Sequence, residues 1–95
     1  MSTDIEGLTV HWEEDGVVKV KELDKKVLSK GAWTTILYLY QDFNPTAEEF
    51  GPSKATIRRY RKISGNYRQQ SKFNISSAKQ AGLIVEALVE WFGDK

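Results

Sequence analysis

All of the arginines in the sequence fall between Arg58 and Arg68, inside a long stretch without acidic residues. No Asp or Glu occurs between Glu49 and Glu86, so the interval carries a formal charge of +8 and the remainder −7, although the total is only +1. Such a separation creates a local positive potential that attracts polyanions, and nucleic acid is the commonest of these. The basic residues of the interval are Lys54, Arg58, Arg59, Arg61, Lys62, Arg68, Lys72 and Lys79.

Tyrosine side chains accompany these basic residues along the chain. Single-stranded nucleic acid offers a charged backbone and exposed bases, and proteins bind it with basic grooves and aromatic side chains that stack on the bases. Arginine suits this chemistry because its planar fork can pair with phosphate and also stack on a base. The combination favours non-enzymatic binding of single-stranded nucleic acid. The tyrosines are Tyr38, Tyr40, Tyr60 and Tyr67.

Residues for other chemistry are sparse. There is no cysteine, and His11 is the single histidine, so no metal or nucleophile site of the usual spacing is expected. No glycine-rich phosphate loop occurs, and we expect neither catalysis nor a cofactor. The N-terminus is acidic and lacks an apolar run, and no stretch is long enough to span a bilayer, which favours a cytoplasmic protein.

Turn residues and alternating apolar residues predict an α+β fold. Residues 1–6 are expected to form a disordered tail, and residues 7–95 one domain. Leu8, Val10 and Trp12 alternate with polar residues before the hairpin signal Asp15-Gly16. Longer strands are predicted from Val17, over Trp33–Phe43, over Ala55–Ile63 and over Tyr67–Ile75, with a turn at Ser64-Gly65-Asn66. The expected sheet is curved and antiparallel, with about four strands and an extra N-terminal strand or hairpin.

A C-terminal helix is predicted to begin after Ser77, which forms a capping box with Gln80, and to end near Phe92. Its apolar arc is wider than one sheet requires, so we expect one side to pack on the sheet and the other on a second subunit. The alternative is that the N-terminal hairpin folds over the helix. The expected homodimer contacts are Leu83, Ile84, Ala87, Leu88 and Trp91.

Strand alternation predicts which side chains share the ligand face. If Leu37, Leu39 and the pair Phe73/Ile75 turn toward the helix, the opposite face presents the basic and aromatic residues. Arg59 and Arg61 share a face with Ile57, so their role stays open, and the indoles of Trp33 and Trp91 are expected in the core. For single tyrosines a packing role is the alternative. The predicted nucleic-acid-binding set is Tyr38, Tyr40, Lys54, Arg58, Tyr60, Lys62, Tyr67, Arg68 and Lys72.

Three segments resemble the single-stranded-DNA-binding domain of the transcriptional positive-cofactor-four family. These are Ile57-Arg58-Arg59-Tyr60, Phe73-Asn74-Ile75-Ser76 and the helix from Ser77 to Phe92. The resemblance implies a homodimer that binds single-stranded DNA across its sheets, with Arg58 and Tyr60 at matching positions. Ser71-Lys72 stands where the family often has Lys-Gly, and the segment with His11 has no counterpart.

The expected function is binding of single-stranded DNA with low sequence specificity, by neutralisation of the backbone and stacking of bases. Two alternatives stay open: an RNA-binding module that uses the same face, and a protein-interaction module for an acidic partner. The residues leave open whether such binding serves transcription regulation or DNA maintenance.

Overall fold

Turn residues and alternating side chains divide the chain into six strands and one helix in the computed structural model, which describes residues 4–93. A 3-10 turn at Ile5–Gly7 precedes β1 (Trp12–Glu14), β2 (Val17–Ser29), β3 (Trp33–Asn44), β4 (Glu49–Phe50), β5 (Lys54–Ile63), β6 (Asn66–Ile75) and helix α1 (Ala78–Phe92). Neighbouring strands are antiparallel in the order β1-β2-β3-β5-β6, with β4 beside β3. The prediction of an α+β fold with an N-terminal hairpin, a curled sheet and a C-terminal helix is confirmed.

Two tight turns fix the hairpins that the sequence predicted. Asp15 and Gly16 have φ angles of 53° and 79°, and Ser64 and Gly65 have φ angles of 53° and 83°. Positive φ at both central residues matches the right-handed twist of the flanking strands. The β1–β2 and β5–β6 pairings therefore follow from local chemistry.

The central strands present two unlike faces, because residues directly opposite each other on paired strands point to the same side. We call the first the covered face; its β3 and β5 residues Thr34, Ile36, Tyr38, Thr56 and Tyr60 are all buried. We call the second the open face. It carries Trp33, Thr35, Leu37 and Leu39 of β3 opposite Arg61, Arg59, Ile57 and Ala55 of β5.

The N-terminal segment covers the first of these faces. Leu8 and Val10 are buried there in one cluster with the side chains of β3, β5 and β6. The Lys25 ammonium group holds the segment by donating to the carbonyl oxygens of Ile5, Glu6 and Leu8 at 3.2, 3.2 and 2.6 Å. The core cluster therefore lies on the face opposite Leu37 and Leu39, and the expectation that this tyrosine face is open to a ligand is wrong.

The predicted N-terminal tail is also wrong for residues 4–6, whereas residues 1–3 lie outside the described part of the chain. The Asp4 side chain accepts a hydrogen bond from the Gly7 amide at 2.9 Å, and Ile5 packs against the core cluster. The acidic composition of this segment suggested a solvated tail. The turn instead brings the two apolar residues that follow it, Leu8 and Val10, onto the sheet.

Helix α1 begins as predicted and then packs little against the sheet. The Ser77 hydroxyl oxygen accepts from the Gln80 amide, and the Gln80 side chain accepts from the Ser76 amide, both at 3.1 Å. Within the described chain no residue of α1 is buried, and its strand contacts are chiefly with β6. Trp33 and Trp91 were both predicted to lie in the core. In the single chain they are 40% and 67% exposed, so this prediction is wrong for the single chain.

Removal of the Leu8 side chain tests the covering segment. Leu8→Ala should lower the free energy of unfolding by about 2–5 kcal/mol, because it opens a cavity in the core. Leu28→Ala is the matched control, since Leu28 is 58% exposed and Leu8 only 6%. Urea unfolding of the two variants measures the difference, and equal losses would contradict this assignment of the core.

Candidate nucleic-acid interface

The strand register divides the predicted binding residues between the two faces. Tyr38, Tyr40, Lys54, Arg58 and Tyr60 all lie on the covered face, as Lys72 does through its pairing with Arg58. Two further members, Lys62 and Tyr67, pair with each other on that same side. The prediction therefore grouped most of these residues correctly on one face, but it placed the covering layer on the wrong side.

A β-bulge moves the remaining member to the opposite face. Arg59 pairs with Ser71, whereas the next residue Tyr60 pairs with Gln69, so that Gln70 is the extra residue of β6. An extra residue reverses the alternation of every side chain beyond it. Arg68 consequently lies on the open face opposite Arg61, and the prediction that it shares a face with Lys72 is wrong.

Three of the four predicted stacking tyrosines are core residues. Tyr38 is fully buried, Tyr60 and Tyr67 nearly so, and Tyr40 is half-buried against the same cluster. The hydroxyl groups of Tyr38 and Tyr60 form a hydrogen bond of 2.9 Å. Burial raises the pKa of both phenols, and for Tyr38 the hydrogen bond to Tyr60 adds to the effect, so the pair is neutral in the folded protein. A base cannot stack on the buried rings of Tyr38, Tyr60 and Tyr67, and the packing alternative describes these three.

The basic residues of the covered face differ in their freedom to bind a ligand. Lys54 forms an ion pair of 3.2 Å with Asp42, and the Lys62 ammonium lies 5.5 Å from the centroid of the Tyr67 ring. Arg58 is half-buried and donates to the Gln69 side chain at 2.9 Å. The Lys72 side chain is exposed directly opposite Arg58.

The open face brings together four residues that we call the arginine–tryptophan cluster: Trp33, Arg59, Arg61 and Arg68. Trp33 lies directly opposite Arg61, which lies directly opposite Arg68, so the three form one row across three strands. The guanidinium carbons of Arg59 and Arg61 are 4.4 and 5.4 Å from the centre of the indole. These are cation–π distances, and all four residues are exposed.

Sequence reasoning missed this cluster because Trp33 was expected in the core and Arg59 and Arg61 had no assigned role. The alternation did place Arg59 and Arg61 on the face of Ile57, as the structure has them. The alternation within single strands does not show that β3 pairs with β5. That pairing brings Trp33 beside Arg59 and Arg61 at one end of the sheet. A prediction of the antiparallel register between β3 and β5 would have identified the cluster.

No acidic side chain of residues 4–93 forms an ion pair with the arginine–tryptophan cluster. Among residues 4–93 the ion pairs are Lys26–Asp24 and Lys54–Asp42, and none involves an arginine. Arg61 and Arg68 are instead like charges directly opposite each other, as are Arg58 and Lys72, and such pairs are destabilising. An anion bound between the members of each pair would remove that repulsion. The geometry suits a ligand that carries several negative charges and also has flat groups that can stack on the indole.

Comparison with known proteins yields no protein family, no curated protein and no solved structure that matches the chain. Residues 4–93 contain no group of three or more His, Asp or Glu side chains arranged to hold a metal ion. Over the same residues no helix is long and apolar enough to cross a membrane. The functional assignment accordingly depends on the geometry of the chain itself.

The buried tyrosine pair can be tested with a double-mutant cycle. Tyr38→Phe should lower the free energy of unfolding by about 1–3 kcal/mol, because it leaves the Tyr60 hydroxyl buried without a partner. Tyr38→Phe combined with Tyr60→Phe removes both hydroxyls and should restore most of the loss. Urea unfolding of the four proteins measures the coupling, and simple addition of the two losses would contradict a shared hydrogen bond.

Proposed function

We propose that the protein binds single-stranded DNA, without catalysis and with low sequence specificity. Single-stranded RNA is the alternative ligand for the same site. The observation that carries the proposal is the exposed Trp33 indole with the guanidinium groups of Arg59 and Arg61 against it. Aromatic platforms beside unneutralised cations are what single-strand binding requires. In this proposal the stacking platform is Trp33 on the open face and not the tyrosines of the covered face.

Each part of the arginine–tryptophan cluster meets one part of such a ligand. The indole and the planar guanidinium groups offer surfaces on which a base can stack, and the outer N–H groups of the arginines can donate to phosphate oxygens. Neither contact reads the hydrogen-bonding edge of a base, so little sequence preference is expected. Release of counterions from the phosphates contributes to the affinity and makes it depend on salt.

A helix-mediated homodimer is the second part of the proposal. The Cα atoms extend only 17 Å in the thinnest direction, whereas stable domains pack at least two layers of secondary structure. Phe73, on the open face of β6, is 51% exposed, and Leu88 and Trp91 of α1 are exposed as well. Spacings of three and four residues place Ile84, Leu88 and Trp91 on one stripe of the helix. A second copy that packs on this stripe supplies the missing layer.

The test of the binding proposal is a fluorescence-anisotropy titration with single-stranded DNA, duplex DNA and single-stranded RNA at several salt concentrations. Trp33→Ala should weaken single-strand binding by about 1–3 kcal/mol, the usual contribution of one stacked base. Trp12→Ala is the matched control, because Trp12 is also exposed but lies beside acidic residues in β1.

Three outcomes of that titration would contradict the proposal. These are equal effects of the two tryptophan substitutions, absence of single-strand binding by the wild type at low salt, and tighter binding of duplex than of single strands. Binding of poly-glutamate that rivals the oligonucleotide and ignores Trp33→Ala would favour the acidic-protein alternative, because a purely electrostatic contact does not need the indole.

The dimer is tested by sedimentation equilibrium at micromolar concentration. The wild type should have twice the chain mass of 10.9 kDa. Leu88→Asp should reduce the mass to that of one chain, because a carboxylate buried at an apolar interface is strongly unfavourable. Glu86→Asp on another side of the helix is the control and should leave the dimer intact. A wild-type mass near 10.9 kDa would refute the dimer.

A further inference from the structure

Strand β6 forms one edge of the sheet. It stands last in the strand order and, among residues 4–93, pairs only with β5. All residues from Arg68 to Asn74 are exposed. The outer side of an edge strand carries unpaired backbone N–H and C=O groups, so this edge can donate hydrogen bonds as well as present side chains.

The same edge has a pair of cations on each of its two sides. Arg68 with Arg61 lies on the open face, and Lys72 with Arg58 lies on the covered face. The members of each pair are direct cross-strand neighbours, whose Cβ atoms are about 4.5–5.5 Å apart. The two pairs are offset by three residues on β5, or about 10 Å along the strand. No carboxylate of the described residues forms an ion pair with any of these four side chains.

We infer that a nucleic-acid single strand crosses the edge of β6, from the arginine–tryptophan cluster on the open face to the Arg58–Lys72 pair on the covered face. The inference rests on the proposed function and extends its site to the second face. One phosphate lies between the members of each like-charge pair, and the backbone passes over the exposed N–H groups of β6 between them.

This path explains how a site without base readout distinguishes single strands from duplexes. A sheet with its side chains is about 10 Å thick, so a ligand that reaches both faces must turn sharply around one strand. Duplex DNA has a persistence length of about 50 nm and resists such a turn. A duplex therefore contacts the cations of one face only, whereas a flexible single strand contacts both.

Lys72 is the residue that separates this path from binding on the open face alone. Its side chain is exposed and forms no ion pair with any of residues 4–93, so Lys72→Gln removes a charge without disturbing the core. Lys79→Gln is the matched control, because Lys79 is an exposed lysine of the same acid-free interval on α1. Arg61→Gln removes one arginine of the open face.

The experiment measures binding of oligothymidylates of about 4 and about 12 nucleotides, which bracket the site sizes of small single-strand-binding domains. Lys72→Gln should weaken binding of the longer oligonucleotide several-fold and reduce the slope of log affinity against log salt by about 0.7, the value for one phosphate contact on a single strand. It should leave binding of the shorter oligonucleotide and of duplex DNA unchanged. Lys79→Gln should alter none of these, and Arg61→Gln should weaken binding of both lengths.

Protein stability provides a second readout. Because Lys72 faces Arg58, Lys72→Gln should raise the urea midpoint of the free protein while it weakens binding of the longer strand. A side chain that merely supports the fold would lower the midpoint. A lower midpoint together with weaker binding of both lengths would overturn the assignment of Lys72 as a ligand contact.

The remaining outcomes distinguish failure of this path from failure of the proposed function. If Arg61→Gln weakens binding but Lys72→Gln behaves like Lys79→Gln, the ligand stays on the open face and the edge crossing is wrong. If Lys72→Gln weakens binding and Arg61→Gln does not, both the crossing and the arginine–tryptophan site are wrong. If the wild type binds neither oligonucleotide, the proposed function fails and the crossing fails with it.

Discussion

The architecture depends on how the N-terminal segment closes one face of the sheet. Leu8 and Val10 pack over the tyrosines of the covered face, and the Lys25 ammonium secures the segment by its three carbonyl contacts. Because the phenols are sealed beneath this layer, the hydrogen bond between Tyr38 and Tyr60 satisfies two hydroxyls that would otherwise be buried without partners. The opposite face has no comparable cover within the described chain, and its aromatic and cationic side chains stay in contact with solvent.

Sequence patterns predicted the elements well because turns and caps are local. Asp15-Gly16 and Ser64-Gly65 determine the two hairpins through their positive φ angles, and Ser77 begins the helix through one hydroxyl. The covered face was harder to predict, since both faces of β3 carry large apolar side chains. The choice between them depends on a segment that lies more than twenty residues earlier in the chain.

The candidate site was only partly predictable for a related reason. The concentration of arginine and the absence of acids were plain in the sequence, but the alternation could not reveal that Gln70 is an extra residue of β6. This bulge separates Arg68 from Lys72 and gives each face of the edge strand its own pair of like charges. Such pairs of like charges directly opposite each other lower the stability of the fold.

The cover over the tyrosine face also has a consequence for the order of folding. Residues 5–10 are synthesised before the strands they contact, and the cluster they complete reaches as far along the chain as Tyr67. Contacts between such distant residues must await closure of a long loop, which slows their formation. We therefore expect residues 5–10 to be among the last to reach their native place, although they precede the sheet in the chain. Until β6 has formed, the cluster lacks Tyr67 and stays incomplete.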